Sequence, residues 1–248
     1  MLCFLILSTF STNLNYIGLT WVNHERFCVS GADGSHIVGG RDSAPHSRPY
    51  MASLQIQGRP NCGGVLVRED FVLTAAHCAV PLYETDLKTC ILCFENGHVF
   101  SHLPSIVISS QYTVVVGVNS LSGNEATKQE LTAVRSFPHP NYDGHANDIM
   151  LLKLNSKVQL TEAVQLIALK TGRINVATQC LTVGWGDIGD NNTLARTLQE
   201  VNVTTLSQPV CRLRWRGVPI TRTMICGIGS HSFQGFCSVR KYTGWTLI

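Results

Sequence analysis

Short apolar runs alternate with turn-forming residues along most of the chain. From Ile37 onward, Val, Ile and Leu cluster in short segments separated by Gly, Pro, Asn and Asp, as at residues 65–67, 71–73, 114–116 and 201–203. This punctuation is typical of antiparallel sheets. Apolar residues at helical spacing occur over residues 163–169, a segment too short to determine the fold class. The pattern therefore predicts an all-β fold.

Composition narrows the class of protein. The chain has 248 residues, of which 44% are hydrophobic and 14% charged, so it can bury a sizeable core. Its net charge of +3 is spread without a run of five like charges, which argues against a nucleic-acid or membrane-surface role. Ten cysteines without a zinc-type Cys/His pattern favour disulfides and a secretory route.

The amino-terminal segment has some features of a secretion signal. Residues 2–10 form an apolar run as long as the core of a signal peptide, although neither Lys nor Arg precedes it. The run is too short to cross a bilayer. The small-x-small triplet at residues 32–34 is the best cleavage site. We expect residues 1–36 to be an atypical signal and propeptide region.

Five motifs follow one another in a fixed order along residues 37–226, and together they resemble the trypsin-like serine proteases, especially granzymes and neutrophil elastase. They are Ile-Val-Gly-Gly from Ile37, Cys-Gly-Gly-Val-Leu-Val from Cys62, Leu-Thr-Ala-Ala-His-Cys ending at Cys78, Asn-Asp-Ile-Met-Leu-Leu from Asn147, and Gly-Trp-Gly from Gly184. The resemblance implies a chymotrypsin-like double Greek-key β-barrel.

The resemblance implies a catalytic role for two residues. His77 would be the general base, since imidazole exchanges protons near neutral pH. Asp148 would hold the imidazole tautomer and offset its charge. Each alone has a plainer interpretation, because a histidine beside a cysteine is usually structural and an aspartate before an apolar run usually belongs to a turn. We expect neither a metal ion nor a cofactor.

The family pattern also suggests disulfides, an activation site and a pocket residue. By resemblance, Cys62 would pair with Cys78, and Cys211 with Cys226. Cleavage after His36 would free Ile37 as a new amino terminus. Gly235 would form the base of the specificity pocket, and glycine there argues against a simple preference for Lys or Arg. Two Asn-x-Thr sequons make Asn191 and Asn202 candidate glycan acceptors, and Asn202 has the stronger claim.

Two segments depart from the family pattern. Residues 89–111 lengthen one connection and contain a lone Cys-x-x-Cys, for which redox or metal chemistry is an alternative. After Ser238 the family motif would continue as Gly-Asp-Ser-Gly-Gly-Pro, but the chain continues Val-Arg-Lys-Tyr. We interpret both segments as retained intron sequence. The nucleophilic serine and the oxyanion hole are then absent, and the second barrel is incomplete.

These inferences define the expected organisation. A first barrel would occupy about residues 37–140 with the insertion at 89–111, a partial second barrel about 141–238, and a non-homologous tail 239–248. The chain would be a secreted or granule-stored serine endopeptidase family member that is inactive as written. Its partners would be protein or peptide substrates and serine protease inhibitors, without nucleic acid or membrane, and it would be a monomer. The alternative is a non-catalytic pseudoprotease that acts as a secreted binding protein.

Overall fold

The computed structural model describes residues 40–79, 112–186, 194–214 and 219–229 in full, and the backbone alone of residues 35–38 and 235–238. The expected insertion at 89–111, the tail at 239–248, most of the expected signal and propeptide region, and the sequon at Asn191 lie outside these ranges.

The described chain consists mainly of strands. They are β1 (Ser35–Val38), β2 (Arg41–Asp42), β3 (Met51–Ile56), β4 (Arg59–Arg68), β5 (Phe71–Thr74), β6 (Thr113–Val116), β7 (Gln129–Pro138), β8 (Met150–Leu154), β9 (Gln179–Gly184), β10 (Gln199–Thr205), β11 (Gly227–Gly229) and β12 (Gly235–Ser238). A 3-10 helix spans Ala76–Cys78, and the helix α1 spans Gln208–Arg214. The predicted all-β class is confirmed, as are the strands predicted at residues 65–67, 71–73, 114–116 and 201–203.

Six strands close into a barrel in the order β3, β4, β5, β8, β7, β6, and all pairs are antiparallel. Alternate side chains of β8 point inward, since Met150, Leu152 and Leu154 are buried and the residues between them are partly exposed. The barrel interior also holds Leu54, Leu66, Val72, Val114 and Val116. Closure leaves this barrel without an unpaired edge strand.

A second sheet lies beside the barrel. Its central strand β10 pairs with β9, β11 and β2, and this sheet is open over the described residues. A separate ladder joins β1 to β12, with Ile37 opposite Phe236 and Val38 opposite Gly235. Tyr50, Val65 and Val115 from the barrel pack with Leu181 and Trp185 from the second half. The two halves thus share a core.

The first barrel extends further along the chain than the sequence predicts. The sequence predicts its end near residue 140, whereas its closing strand β8 is Met150–Leu154. That strand pairs with β5 on one side and β7 on the other, so the barrel cannot close without it. At the other end, β1 and β2 pair with strands of the second half, and the barrel begins at β3.

The sequence did not predict helix α1. Within α1 the structure buries Cys211, whereas Val210 and Leu213 are exposed, so the helix has no apolar stripe that a periodicity could reveal. Arg212 and Arg214 occupy its last turn, where cations interact favourably with the helix dipole. No helix among the described residues has the length and apolar composition needed to cross a membrane.

A buried carboxylate ties the amino-terminal segment to the second sheet. The Glu200 side chain is 6% exposed and accepts hydrogen bonds from Arg41 Nε at 3.0 Å, Ser43 Oγ at 2.6 Å and Arg48 Nε at 3.2 Å. Burial by itself raises the pKa of Glu200, but the hydrogen bonds from Ser43 and Arg41 and the charges of the two arginines outweigh it. The pKa is therefore lowered from its ordinary value of 4.5.

We predict that Glu200→Gln lowers the free energy of unfolding at neutral pH by about 2–3 kcal/mol, because charged hydrogen bonds are lost and two arginines lose their anion. A carboxylate with a lowered folded-state pKa stabilises the fold above its unfolded pKa, and this stabilisation disappears as pH falls through the folded pKa. Urea unfolding below pH 4.5 should therefore show a smaller difference between variant and parent. Glu130→Gln, which removes an exposed pair with Lys128, is the matched control and should cost about 0–1 kcal/mol. Equal losses in both variants would contradict the prediction.

Candidate active site

His77 lies in the 3-10 helix that follows β5, on a segment fixed from several sides. The neighbouring Cys78 is disulfide-bonded to Cys62 of β4, with 6.3 Å between their Cα atoms. The buried Tyr112 hydroxyl donates to the Cys78 carbonyl at 2.8 Å and accepts from Asn61 Nδ2 at 2.6 Å. These contacts hold the helix against the barrel wall and leave the His77 side chain 24% exposed.

The loop before β8 presents Asp148. Asp143 organises this loop by accepting the backbone N–H groups of Ala146 at 2.6 Å and His145 at 2.8 Å. These two bonds, the one from Ala146 first, lower the pKa of the Asp143 carboxyl. Asn147 has a left-handed backbone with φ of 60°, which asparagine tolerates better than most residues, and it turns the chain into β8.

Asp148 contacts His77 at two points. Its Oδ2 lies 2.6 Å from His77 Nδ1, and its Oδ1 accepts the His77 backbone N–H at 2.8 Å. The second bond fixes the rotation of the carboxylate, so Oδ2 must face the ring. A carboxylate accepts only, and Nδ1 is therefore the protonated ring nitrogen. The Nε2 atom is left able to take up a proton, as a general base requires.

Tyr142 lies close enough to Asp148 for the charge of that carboxylate to act on its phenol. It is partly buried against the barrel core. Burial, followed by the charges of Asp148 and Asp143, raises the pKa of Tyr142 to about 12. The phenol is neutral at physiological pH, so it adds no second negative charge beside Asp148.

The loop carrying Asp148 also contacts the second half. Ala146 packs in a buried cluster with the Cys211–Cys226 disulfide, Ile220 and Met224. His145 Nε2 lies 3.0 Å from the carbonyl oxygen of Pro219. The candidate site therefore lies where the barrel meets the second half of the chain.

Over the described residues, one group of side chains has the composition and spacing of metal ligands. The donor atoms of Cys62, His77 and Cys78 lie within 4.8 Å of one another. Both sulfurs are joined in the disulfide, so in the oxidised protein they are unavailable as thiolate ligands.

Most of the chain is similar in sequence to one known protein family. The family model described as Trypsin matches residues 37–93 and 90–238. The chain belongs to the trypsin family. Its relatives within that family include Mast cell protease 3 of Ovis aries, 36% identical over 77% of this chain and 67% of its own length. Granzyme H of Homo sapiens is 36% identical over 79% of this chain and 70% of its own length. Cathepsin G of Homo sapiens is 37% identical over 79% and 68%, respectively.

The trypsin family assignment agrees with the three-dimensional comparison. The solved structure described as that of GrC matches with a TM-score of 0.64 and 31% sequence identity, over 83% of this chain and 81% of that one. The predicted chymotrypsin-like fold and the granzyme subgroup are confirmed. The closed barrel and the second sheet thus agree with a trypsin family architecture.

The structure brings some of the predicted residues together and leaves others apart. His77 and Asp148 meet, and Cys62 bonds to Cys78 as Cys211 does to Cys226. Ile37 and Gly235 are described by their backbone alone, on adjacent strands. Asn202 is exposed on β10. Sequence reasoning missed Asp143, although the Asp-Gly pair at 143–144 is a turn signal that could have identified it.

We predict that Asp148→Asn reverses the tautomer of neutral His77. The His77 backbone N–H requires an acceptor, so the amide oxygen would occupy the Oδ1 position and the NH2 group would face Nδ1. Nδ1 must then accept, and the ring proton moves to Nε2, where it blocks proton uptake. Imidazole 15N chemical shifts distinguish the two tautomers. Glu130→Gln, which converts an exposed carboxylate on β7 into its amide, is the control and should leave the His77 shifts unchanged. Unaltered shifts in Asp148→Asn would refute the proposed geometry.

Proposed function

We propose that this chain is a serine endopeptidase domain that retains the base and its orienting acid but lacks a nucleophile, and is therefore inactive as written. The observation that supports this most directly is the two-point contact of Asp148 with His77, at 2.6 Å and 2.8 Å. Peptide hydrolysis by this arrangement needs a serine hydroxyl at His77 Nε2, backbone donors for the oxyanion, and a substrate carbonyl between them.

The residues that follow Ser238 support the inactive interpretation. The family motif would place Asp-Ser-Gly-Gly there, whereas the chain has Val239, Arg240, Lys241 and Tyr242. Ser238 is a poor substitute, because its backbone is in β12 opposite Ser35 and not in a turn that could form an oxyanion hole. Loss of the nucleophile in a Ser-His-Asp triad costs about a million-fold in kcat.

We further propose a substrate preference, a maturation step and a location for this chain. Gly235 as pocket base would disfavour substrates cleaved after Lys or Arg, since it offers no carboxylate to a basic side chain. Cleavage after His36 would free Ile37, which in the uncleaved chain is paired with Phe236 in a β-ladder. Two disulfides among the described residues fit a secreted or granule-stored protein. A binding protein without catalysis is the second candidate, favoured by the closed first barrel with its own core.

We predict that the secreted chain hydrolyses peptide substrates no faster than its His77→Ala variant and does not react with a fluorophosphonate probe. Joining Ser238 to Asp-Ser-Gly-Gly-Pro and the following segment of a relative should create probe labelling that again depends on His77. Hydrolysis by the unaltered chain that disappears in His77→Ala would contradict the proposal. Binding of a serine protease inhibitor without turnover would instead favour the binding protein.

We also propose that Asn202 carries an N-linked glycan. Its side chain is exposed on β10, and the acceptor motif is completed by Thr204, whose hydroxyl accepts from Gln179 Nε2 at 2.8 Å.

We predict that peptide N-glycosidase F increases the gel mobility of chain secreted from animal cells, and that Asn202→Gln abolishes this shift. Asn191→Gln is the control for the other sequon. A shift that persists in Asn202→Gln but not in Asn191→Gln would assign the glycan to Asn191 and contradict the proposal.

A further inference from the structure

We propose that reduction of the Cys62–Cys78 disulfide converts the candidate active site into a zinc site formed by Cys62, Cys78 and His77. This goes beyond the proposed protease function and does not depend on a nucleophile. Sulfur and imidazole donors in this ratio hold zinc in known catalytic sites, where three protein ligands leave a fourth position for water or another donor.

The spacing of the donors suits one zinc ion. Zinc binds sulfur at about 2.3 Å and imidazole nitrogen at about 2.0–2.1 Å, which in a tetrahedron sets the two donors about 3.5 Å apart. Cys78 Sγ and His77 Nε2 are 3.6 Å apart. The Cα atoms of Cys62 and Cys78 are separated by 6.3 Å, which leaves room for the two sulfurs to turn toward a common ion once their bond is broken.

The surroundings of the donors favour the metal-bound state. A zinc-bound histidine characteristically donates its other ring nitrogen to a carboxylate, which fixes the ring and strengthens its basicity. Asp148 already accepts from His77 Nδ1 at 2.6 Å, so the metal would bind through Nε2, the ring nitrogen that lies 3.6 Å from Cys78 Sγ. Asn61 Nδ2 lies 3.7 Å from Cys62 Sγ and would donate to that thiolate. Two thiolates neutralise the charge of Zn²⁺, which suits cysteines that are 6% and 2% exposed.

A trialkylphosphine can supply the two electrons that reduce the disulfide. A trialkylphosphine attacks one sulfur, the S–S bond breaks, and water supplies the oxygen of the phosphine oxide and the protons of two thiols. Zinc then binds both sulfurs as thiolates and releases the two thiol protons. A cellular dithiol would supply the same two electrons by thiol–disulfide exchange.

The test uses the full chain, oxidised or reduced with tris(2-carboxyethyl)phosphine, with the thiol count checked by alkylation and mass spectrometry. Cobalt(II) serves as the spectroscopic probe and zinc as the competitor. The reduced chain should show sulfur-to-cobalt charge transfer and the visible bands of tetrahedral cobalt, which zinc abolishes, whereas the oxidised chain should show neither. Zinc should raise the unfolding temperature of the reduced chain.

Amino-acid substitutions would identify the residues that bind the metal ion. His77→Gln should remove the tetrahedral bands while leaving all thiols in place, and Asp148→Asn should weaken zinc binding roughly 10- to 100-fold. His46→Gln, at a histidine that pairs with Glu125 and not with the site, and the double variant Cys90→Ser with Cys93→Ser are controls that should bind as the parent does. Binding that is unchanged in His77→Gln but lost in Cys90→Ser with Cys93→Ser would place the metal elsewhere and overturn the proposal. Failure of the reduced chain to bind cobalt, or to recover a thermal unfolding transition when zinc is added, would overturn it as well.

Discussion

The antiparallel pairing of β5 with β8 is the contact on which the candidate site depends. It joins Thr74 to Met150 at one end of the two strands. Because the strands are antiparallel, the end of β5 lies beside the start of β8. His77 follows β5 by three residues and Asp148 precedes β8 by two, so the same pairing that closes the barrel brings together two side chains that are 71 residues apart in sequence.

Local contacts then turn this proximity into a defined geometry. The disulfide at Cys78 and the Tyr112 hydroxyl fix the position of the His77 backbone, and that backbone N–H in turn orients Asp148. On the other side, Asp143 shapes the loop and Ala146 packs it against the second half. A change in either half is therefore transmitted to the hydrogen bond between His77 and Asp148.

Some features of the fold and of the candidate site could be predicted from the sequence and others could not, for physical reasons. The buried strands could be predicted from the clustering of Val, Ile and Leu, and the pair His77 and Asp148 from motifs that resemble a family. The end of the first barrel could not be predicted, because β8 belongs to it only through pairing with β5 and β7, and local composition does not determine such long-range pairing. The contact between Arg41 and Glu200 could not be predicted either, because 159 residues separate them in sequence. Helix α1 buries too few apolar side chains to give a helical periodicity of hydrophobic residues. Residues whose roles depend on tertiary contacts are therefore the hardest to identify from the local sequence pattern.

The redox state of one disulfide connects the two chemistries of the site. Asp148 holds the Nδ1 proton of neutral His77, so the ring lone pair that can take a proton or a metal ion is on Nε2. While Cys62 and Cys78 are bonded, the neighbouring sulfurs cannot act as thiolate ligands, and a single imidazole is a weak metal site. Separation of the sulfurs supplies the missing ligands, while the Tyr112 hydroxyl still binds the Cys78 carbonyl and Asp148 still binds the His77 ring. The oxidising conditions that favour this disulfide therefore also keep the histidine available as a base, and the features that prepare it for proton transfer are those that would prepare it for zinc.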